Sequence, residues 1–241
     1  MGRLIVRCLC GSAGPFREFA APLTGLPVAG CQHCGTLHQI TTETRAAIEE
    51  QYEGAYHANA ERHPGCVPYR DRYAHDLHVA QVRWAHYRSI LDGQLEVPHF
   101  RALDVGAANG AFVDYLRRLE LPALGVDPDP TMTRDAVQHG TIDDVDGEFS
   151  LLTYHDVLEH LVDPLAELER ARARLCSRGV IVVDVPDVFA PAGVGDHHFK
   201  REHLWFFTDE ALHELLRRSG FRPWVVDRPV PGKIVAYGIA S

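Results

Sequence analysis

The run Arg101-Ala-Leu-Asp104-Val-Gly106-Ala-Ala-Asn109-Gly110 constrains the fold of this chain more than any other segment. Ala102 to Val105 is apolar and rich in strand formers, and Ala111-Phe-Val-Asp-Tyr-Leu116 carries apolar residues at helical spacing. The glycines between them break both patterns, so the segment reads as strand, glycine turn and helix. Such a turn lets a ligand approach backbone at the carboxyl end of a parallel strand, where open α/β sheets bind ligands. Leu124-Gly-Val-Asp127 reads as the next strand and ends on an acid.

Spacing within the turn separates two classes of ligand. The dinucleotide fingerprint is G-x-G-x-x-G/A, its middle glycine making room for a pyrophosphate. Ala108 holds that position here, and the pattern is Asp-x-Gly-x-x-x-Gly. It suits S-adenosylmethionine, a methyl donor with an aminoacyl end, a ribose and an adenine but no phosphate. Asp104 and the turn containing Gly106, Ala107 and Gly110 are expected to hold the aminoacyl end, directly or through water. Asp127, followed by Pro128, is expected to accept from both ribose hydroxyls. Asp143, in Thr141-Ile-Asp-Asp-Val145, is either the acceptor for the adenine amino group or a plain turn acid.

Composition fits a soluble enzyme: 241 residues, 46% hydrophobic and 24% charged, suffice for one substantial core and a small appendage. No 18-residue apolar run is present, and Met1-Gly-Arg-Leu-Ile-Val-Arg7 is too short for a secretory signal, so a cytoplasmic location without membrane association is expected. A formal charge of -9 repels a polyphosphate backbone, which argues against nucleic acid as partner.

Four of the six cysteines, Cys8, Cys10, Cys31 and Cys34, fall within the first 34 residues. Cys31-Gln-His-Cys34-Gly35 has the C-x-x-C-G form of a zinc knuckle, whereas Cys8-Leu-Cys10-Gly11 is one residue short. Either Cys8 reaches the metal by a tighter path, or His33 or His38 completes the tetrahedron. The expectation is one structural zinc with a closed coordination sphere. The alternative is reduced cysteines packed as small hydrophobes. Cys66 and Cys176 are isolated and read as ordinary thiols.

Three regions follow. Residues 1–42 read as a small ribbon of short strands. Residues 43–97 read as a helical linker and cap: a helix over Thr42 to Tyr56, a polar loop over Asn59 to Tyr73, and a helix whose stripe Leu77, Ala80, Trp84, Tyr87 and Leu91 faces a core. Residues 98–241 read as the donor-binding domain, an α/β doubly wound seven-stranded sheet. Its fourth strand is Phe149 to Tyr154, its fifth Arg178 to Asp184, and Arg222 to Asp227 with Lys233 to Ala240 form a terminal antiparallel pair. Thr208 to Gly220 carries a threonine cap, an acidic first turn, a basic last turn and a closing glycine, marking both ends of a helix.

Residues 98–241 resemble the class I S-adenosylmethionine-dependent methyltransferases, a Rossmann-like fold. The likeness rests on Leu103-Asp-Val-Gly-Ala-Ala-Asn-Gly110, Gly125-Val-Asp127, Asp156-Val-Leu-Glu-His-Leu-Val-Asp-Pro164 and Glu202-His-Leu-Trp-Phe-Phe-Thr208. The knuckle followed by Tyr52 and Tyr56 further resembles the branch with an N-terminal zinc ribbon that includes deoxysugar C-methyltransferases of antibiotic pathways. The resemblance implies His203 as general base, because Glu202-His203-Leu204 matches the segment bearing the base in those enzymes, although Lys200 replaces their tyrosine. It also places His155 and Asp156 beside the donor, and His197 and His198 in a loop over the acceptor. Glu159 and His160 are expected to hold loops by hydrogen bonds.

The first cysteine pair departs from those sugar enzymes, and their large carboxyl-terminal domain has no counterpart here. O- or N-methylation of a small molecule, such as a sugar or other natural-product intermediate, is therefore expected over C-methylation. The alternatives are an RNA-modifying methyltransferase, disfavoured by the charge, and a donor-binding protein without turnover. The oligomeric state, homodimer included, stays open.

Overall fold

The computed structural model describes residues 7–21, 24–41, 43–53, 69–94, 99–191 and 199–241. In chain order these form β1 (Phe16–Ala20), β2 (Pro27–Cys31), β3 (Leu37–Gln39), α1 (Arg45–Glu53), α2 (Tyr73–Ile90), β4 (Ala102–Val105), α3 (Ala111–Arg118) and β5 (Ala123–Asp127). There follow β6 (Val137–His139), β7 (Phe149–His155), α4 (Pro164–Arg174), β8 (Leu175–Pro186), β9 (Trp205–Phe206), α5 (Asp209–Arg218), β10 (Phe221–Asp227) and β11 (Lys233–Ala240). Seven strands hydrogen-bond in the order β10-β11-β8-β7-β4-β5-β6, and four shorter ones in the order β1-β2-β3-β9. The chain divides into two compact units, Glu49–His155 with Ala173–Ile181, and Met1–Ile48 with Asp156–Arg172 and Val182–Ser241.

In the first unit β4 pairs in parallel with β5 and β7, and β5 with β6. β4 is buried along its whole length and β7 up to Tyr154, which explains their nearly continuous apolar sequences. α3 turns Ala111, Phe112, Val113 and Leu116 inward. The α2 stripe expected to face a core does so: Ala80, Trp84, Tyr87 and Leu91 are buried and Leu77 partly so, with the rings of Trp84 and Tyr87 at 6.5 and 6.1 Å from that of Phe112. No α-helix joins β5 to β6. A 3-10 turn at Pro130–Met132 and a two-residue bridge, Arg134 with Val137, make the connection, so the winding is tighter than the sequence expectation.

Gly125 shows how closely this unit is packed. A Cβ there would lie 2.7 Å from the Ala107 Cβ and 3.0 Å from Val137 Cγ2, so β5 approaches the glycine turn only because residue 125 has no side chain.

The second unit holds the short sheet. β9 adds to β3 through Leu37 with Phe206 and His38 with Trp205, so the ribbon is completed by residues more than 160 positions further along the chain. α5 begins as expected, with Thr208 Oγ1 accepting the Ala211 N–H at 3.3 Å, and the same hydroxyl donates to the Cys34 carbonyl at 2.8 Å. Arg218, in its last turn, donates to the Leu9 carbonyl. β10 and β11 form the expected antiparallel pair. α1 starts after Thr44, later than expected, and the Thr44 hydroxyl accepts the Ala47 N–H at 3.2 Å; residues 54–68, which include the expected end of this helix at Tyr56, lie outside the described residues.

Replacing Gly125 by valine forces side-chain atoms into this contact. The expected loss is about 1–3 kcal/mol in denaturant unfolding. A variant as stable as the wild type would show that β5 and the turn are not in contact.

Candidate functional site

The glycine turn of the first unit takes three left-handed residues in five positions: Gly106 at φ 74°, Ala108 at 46° and Gly110 at 73°. The glycines take these angles without a Cβ clash; Ala108 does so under strain and is held from outside. The N–H groups of Gly106 and Ala107 both donate to the Val126 carbonyl, at 2.9 and 3.1 Å. Asp127, buried at 2% exposure, accepts the Ala108 N–H on Oδ2 at 2.8 Å and the Asp129 N–H on Oδ1 at 2.9 Å. One carboxylate thus ties together the turns that follow two neighbouring parallel strands. A carboxylate oxygen can accept more than one hydrogen bond. Pro128 is half-buried beside it, and Asp129 caps the next turn by accepting from Thr131.

Asp104 is also committed within the protein. Its Oδ1 accepts from Thr153 Oγ1 at 2.7 Å and from His155 Nδ1 at 2.9 Å. The other ring nitrogen of His155 meets the Tyr87 hydroxyl at 3.1 Å, the Tyr87 ring lies parallel at 5.9 Å, and Phe112 packs edge-on at 4.6 Å. With Nδ1 donating to a carboxylate, Nε2 is the acceptor of the tyrosine proton. The imidazole expected to line the donor site is therefore fixed at both nitrogens.

Several residues that brace the turn were not singled out from sequence. Asn109 Nδ2 donates to Asp76 at 2.7 Å, and Arg72 Nε donates to the same carboxylate at 2.8 Å. The Tyr73 hydroxyl donates to Asp114 at 2.6 Å, Arg134 reaches Asp114 at 2.8 Å and the Asn109 carbonyl at 2.6 Å. Burial and the Asp114 carboxylate raise the Tyr73 hydroxyl above its ordinary pKa. Tyr73 and Asp76 sit in the first turn of α2, where a polar residue on a partly exposed helix gives no signal of what it will touch. Asp143 is exposed in a 3-10 turn whose capping box is built from Thr141 and Asp144, and its carbonyl accepts from Arg174 at 3.1 Å.

The second unit contains two further groups of chemistry-bearing side chains. Asp156 has a left-handed backbone at φ 56°, its N–H donates to the Asp184 carbonyl at 2.8 Å, and its carboxylate pairs with Lys233, which lies 3.6 Å from Asp184. Glu159, His160 and His203 bring one ligand-type atom each to within 4.8 Å of one another. His160 holds a loop as expected, its Nδ1 donating to the Glu202 carbonyl at 3.0 Å. Glu159 does not: it is 1% exposed, and among the described residues neither carboxylate oxygen has a hydrogen-bond partner. Burial, then the charge of Asp156, raises the Glu159 carboxyl well above its ordinary pKa, and burial lowers His160 to about 4. His203 is buried, its ring edge-on to His160 at 4.8 Å. His198 lies outside the described residues.

The cysteines form the other group. Cys8, Cys10, Cys31 and Cys34 place their sulfurs within 4.8 Å of one another, with Cys8 to Cys34 at 3.4 Å and Cys10 to Cys31 at 3.8 Å. A tetrahedron with Zn–S bonds of about 2.3 Å has edges of about 3.8 Å, so the set has the size of a zinc site. Cys8 joins despite the short first spacing; His33 is exposed, and His38 packs between Phe16 and Trp205. The contact between Cys8 and Cys34 lowers the Cys34 thiol to about 4 and raises that of Cys8. A cavity of about 530 Å³ beside the set is lined by Cys10, His33, Cys34, Val226 and residues of α5.

A sequence profile described as "Methyltransferase domain" matches residues 62–226, more than half of the chain. The chain therefore belongs to that methyltransferase family, and it is an S-adenosylmethionine-dependent methyltransferase. A ubiquinone biosynthesis O-methyltransferase of Cereibacter sphaeroides is 29% identical over 177 residues, covering 63% of this chain and 71% of its own length. Its counterpart in a second strain is 30% identical over 164 residues, covering 57% and 66%. Among solved structures, the magnesium protoporphyrin IX methyltransferase of Synechocystis with bound SAH superposes with a TM-score of 0.57 at 13% identity, covering 82% of this chain and 100% of its own. The 1,6-didemethyltoxoflavin-N1-methyltransferase of Burkholderia thailandensis gives 0.54 at 17% identity, covering 92% and 99%. At those identities the likeness concerns the fold.

Proposed function

We propose that this enzyme moves the donor's methyl group to a hydroxyl oxygen of a small-molecule acceptor. The observation that carries the donor half of this reading is the Asp127 carboxylate, held by backbone N–H groups on both sides and buried at the carboxyl ends of β4 and β5. Its oxygens accept from the ribose hydroxyls. The turn with Gly106, Ala107 and Gly110 admits the aminoacyl end close to backbone, Asp104 and His155 form the wall beside it, and Asp143 takes the adenine amino group. Oxygen is favoured as the acceptor atom because the curated relatives named above are O-methyltransferases.

The reaction is an in-line displacement. An oxygen lone pair forms the bond to the methyl carbon while the carbon–sulfur pair returns to sulfur, leaving the neutral thioether; the hydroxyl proton passes to a base. Alignment of the two reactants supplies about 7–11 kcal/mol of the barrier. The base belongs to the buried group that contains His203. The four cysteines bind one zinc that closes its coordination sphere and therefore folds the ribbon without entering the chemistry.

Mixing the protein with labelled donor and a panel of phenolic and sugar hydroxyl compounds is expected to give a methyl ether; label found only on nitrogen or carbon would contradict the oxygen assignment. Asp127→Asn removes one acceptor oxygen and the charge, and is expected to weaken donor binding by about tenfold or more in calorimetry. Equal affinity would place the ribose elsewhere. Elemental analysis of gently purified protein is expected to find one zinc per chain, lost in Cys31→Ser, and its absence from the wild type would remove the metal from the ribbon.

A further inference from the structure

Glu159 stands out because it violates a strong rule. A carboxyl group at 1% exposure normally has its oxygens in hydrogen bonds, since leaving a polar group dry and unpaired costs several kcal/mol. Here Oε1 and Oε2 have no such partner among the described residues. The Lys233 ammonium pairs with Asp156 and lies 3.6 Å from Asp184.

The neighbours of Glu159 are arranged as ligands would be. The Glu202 carbonyl can only accept, so the His160 Nδ1 in contact with it carries the ring proton. That fixes the tautomer and leaves the Nε2 lone pair directed toward Glu159 Oε1, 3.9 Å away. The distance is too long for a hydrogen bond and short enough for one cation to touch both atoms at about 2.1 Å each. A histidine whose far nitrogen is held by a backbone carbonyl is the usual outer support of a metal ligand. His203 completes the set within 4.8 Å. The backbone is fixed as well, because the Leu204 N–H donates to the Glu159 carbonyl at 2.7 Å and so clamps the segment bearing His203 to the turn bearing Glu159.

We propose that Glu159, His160 and His203 form a second metal site, separate in chemistry from the cysteines, that binds a first-row divalent cation. Two imidazoles and a carboxylate favour such an ion over calcium or magnesium and leave coordination positions open for oxygen ligands. On the O-transfer reading above, the base that this group supplies is a hydroxide held by the cation, which lowers the pKa of its bound water; the hydroxide takes the proton and becomes water, and His203 acts as a ligand of the cation.

Manganese(II) is the probe, because thiolate sites discriminate against it and the zinc ribbon can stay loaded. Titration of the full chain followed by electron paramagnetic resonance is expected to show one tightly bound ion per chain, with pulsed spectra revealing coupling to imidazole nitrogen. Glu159→Gln and His160→Ala are each expected to weaken binding by about tenfold or more while retaining cooperative melting. Absence of binding, or bound manganese without nitrogen coupling in the wild-type protein, overturns the site; the second readout needs no variant to fold. Neither measurement involves donor or acceptor, so they fail independently of the O-transfer reading. Stripping the cation is expected to slow methyl transfer about tenfold or more, and full activity without it overturns the catalytic part.

Discussion

A single buried carboxylate organises the two turns at which the methyl donor is proposed to bind. Asp127 gives one oxygen to the Ala108 N–H and the other to the Asp129 N–H, so the turn after β4 and the turn after β5 are fixed by the same charged group. Hydrogen bonds to an ionised acceptor contribute about 1.5–3 kcal/mol each, enough to hold Ala108 in the left-handed conformation that an L-residue avoids. Gly125 allows the two strands' ends to close up, and Asn109, Asp76, Asp114 and Arg134 brace the outer side. The result is a turn shaped before any ligand arrives, which reduces the entropy lost on binding.

The second unit organises its chemistry around unusual burial of groups that prefer water. The cysteine set packs against Ala211 of α5, and Thr208 serves at once as cap of that helix and as hydrogen-bond donor to Cys34. Four sulfurs this close repel one another once ionised, a cost that the proposed zinc removes. Glu159 poses the same electrostatic problem with oxygen and nitrogen donors. The two clusters differ in ligand softness, sulfur in one and oxygen with imidazole nitrogen in the other, which is why two different ions are proposed for them.

Much of this was legible in the sequence where local rules act alone. The glycine turn followed from Gly106 and Gly110, the start and end of α5 from Thr208 and Gly220, the terminal antiparallel pair from its short connection, and the α2 stripe from helical spacing. Turn and cap chemistry is written in a few adjacent residues, so it survives without tertiary information. The cysteines announced their grouping, but only the fold showed that Cys8, and neither His33 nor His38, completes it.

Long-range pairing was not legible. β9 is two residues long and carries no periodic signal, yet it completes the ribbon sheet. Glu159 was read as a hydrogen-bonding loop residue because nothing in Leu158-Glu159-His160 reveals that its carboxylate is enclosed without a hydrogen-bond partner among the described residues. The dual role of Asp127 was likewise hidden, since its partners are backbone N–H groups. Hydrogen exchange with and without saturating S-adenosylmethionine tests the central claim most directly. The account predicts slowed exchange concentrated at residues 106–110 and 127–129, with the remainder of the chain little changed. Unaltered exchange there, with protection appearing at a different set of strand ends, would contradict it.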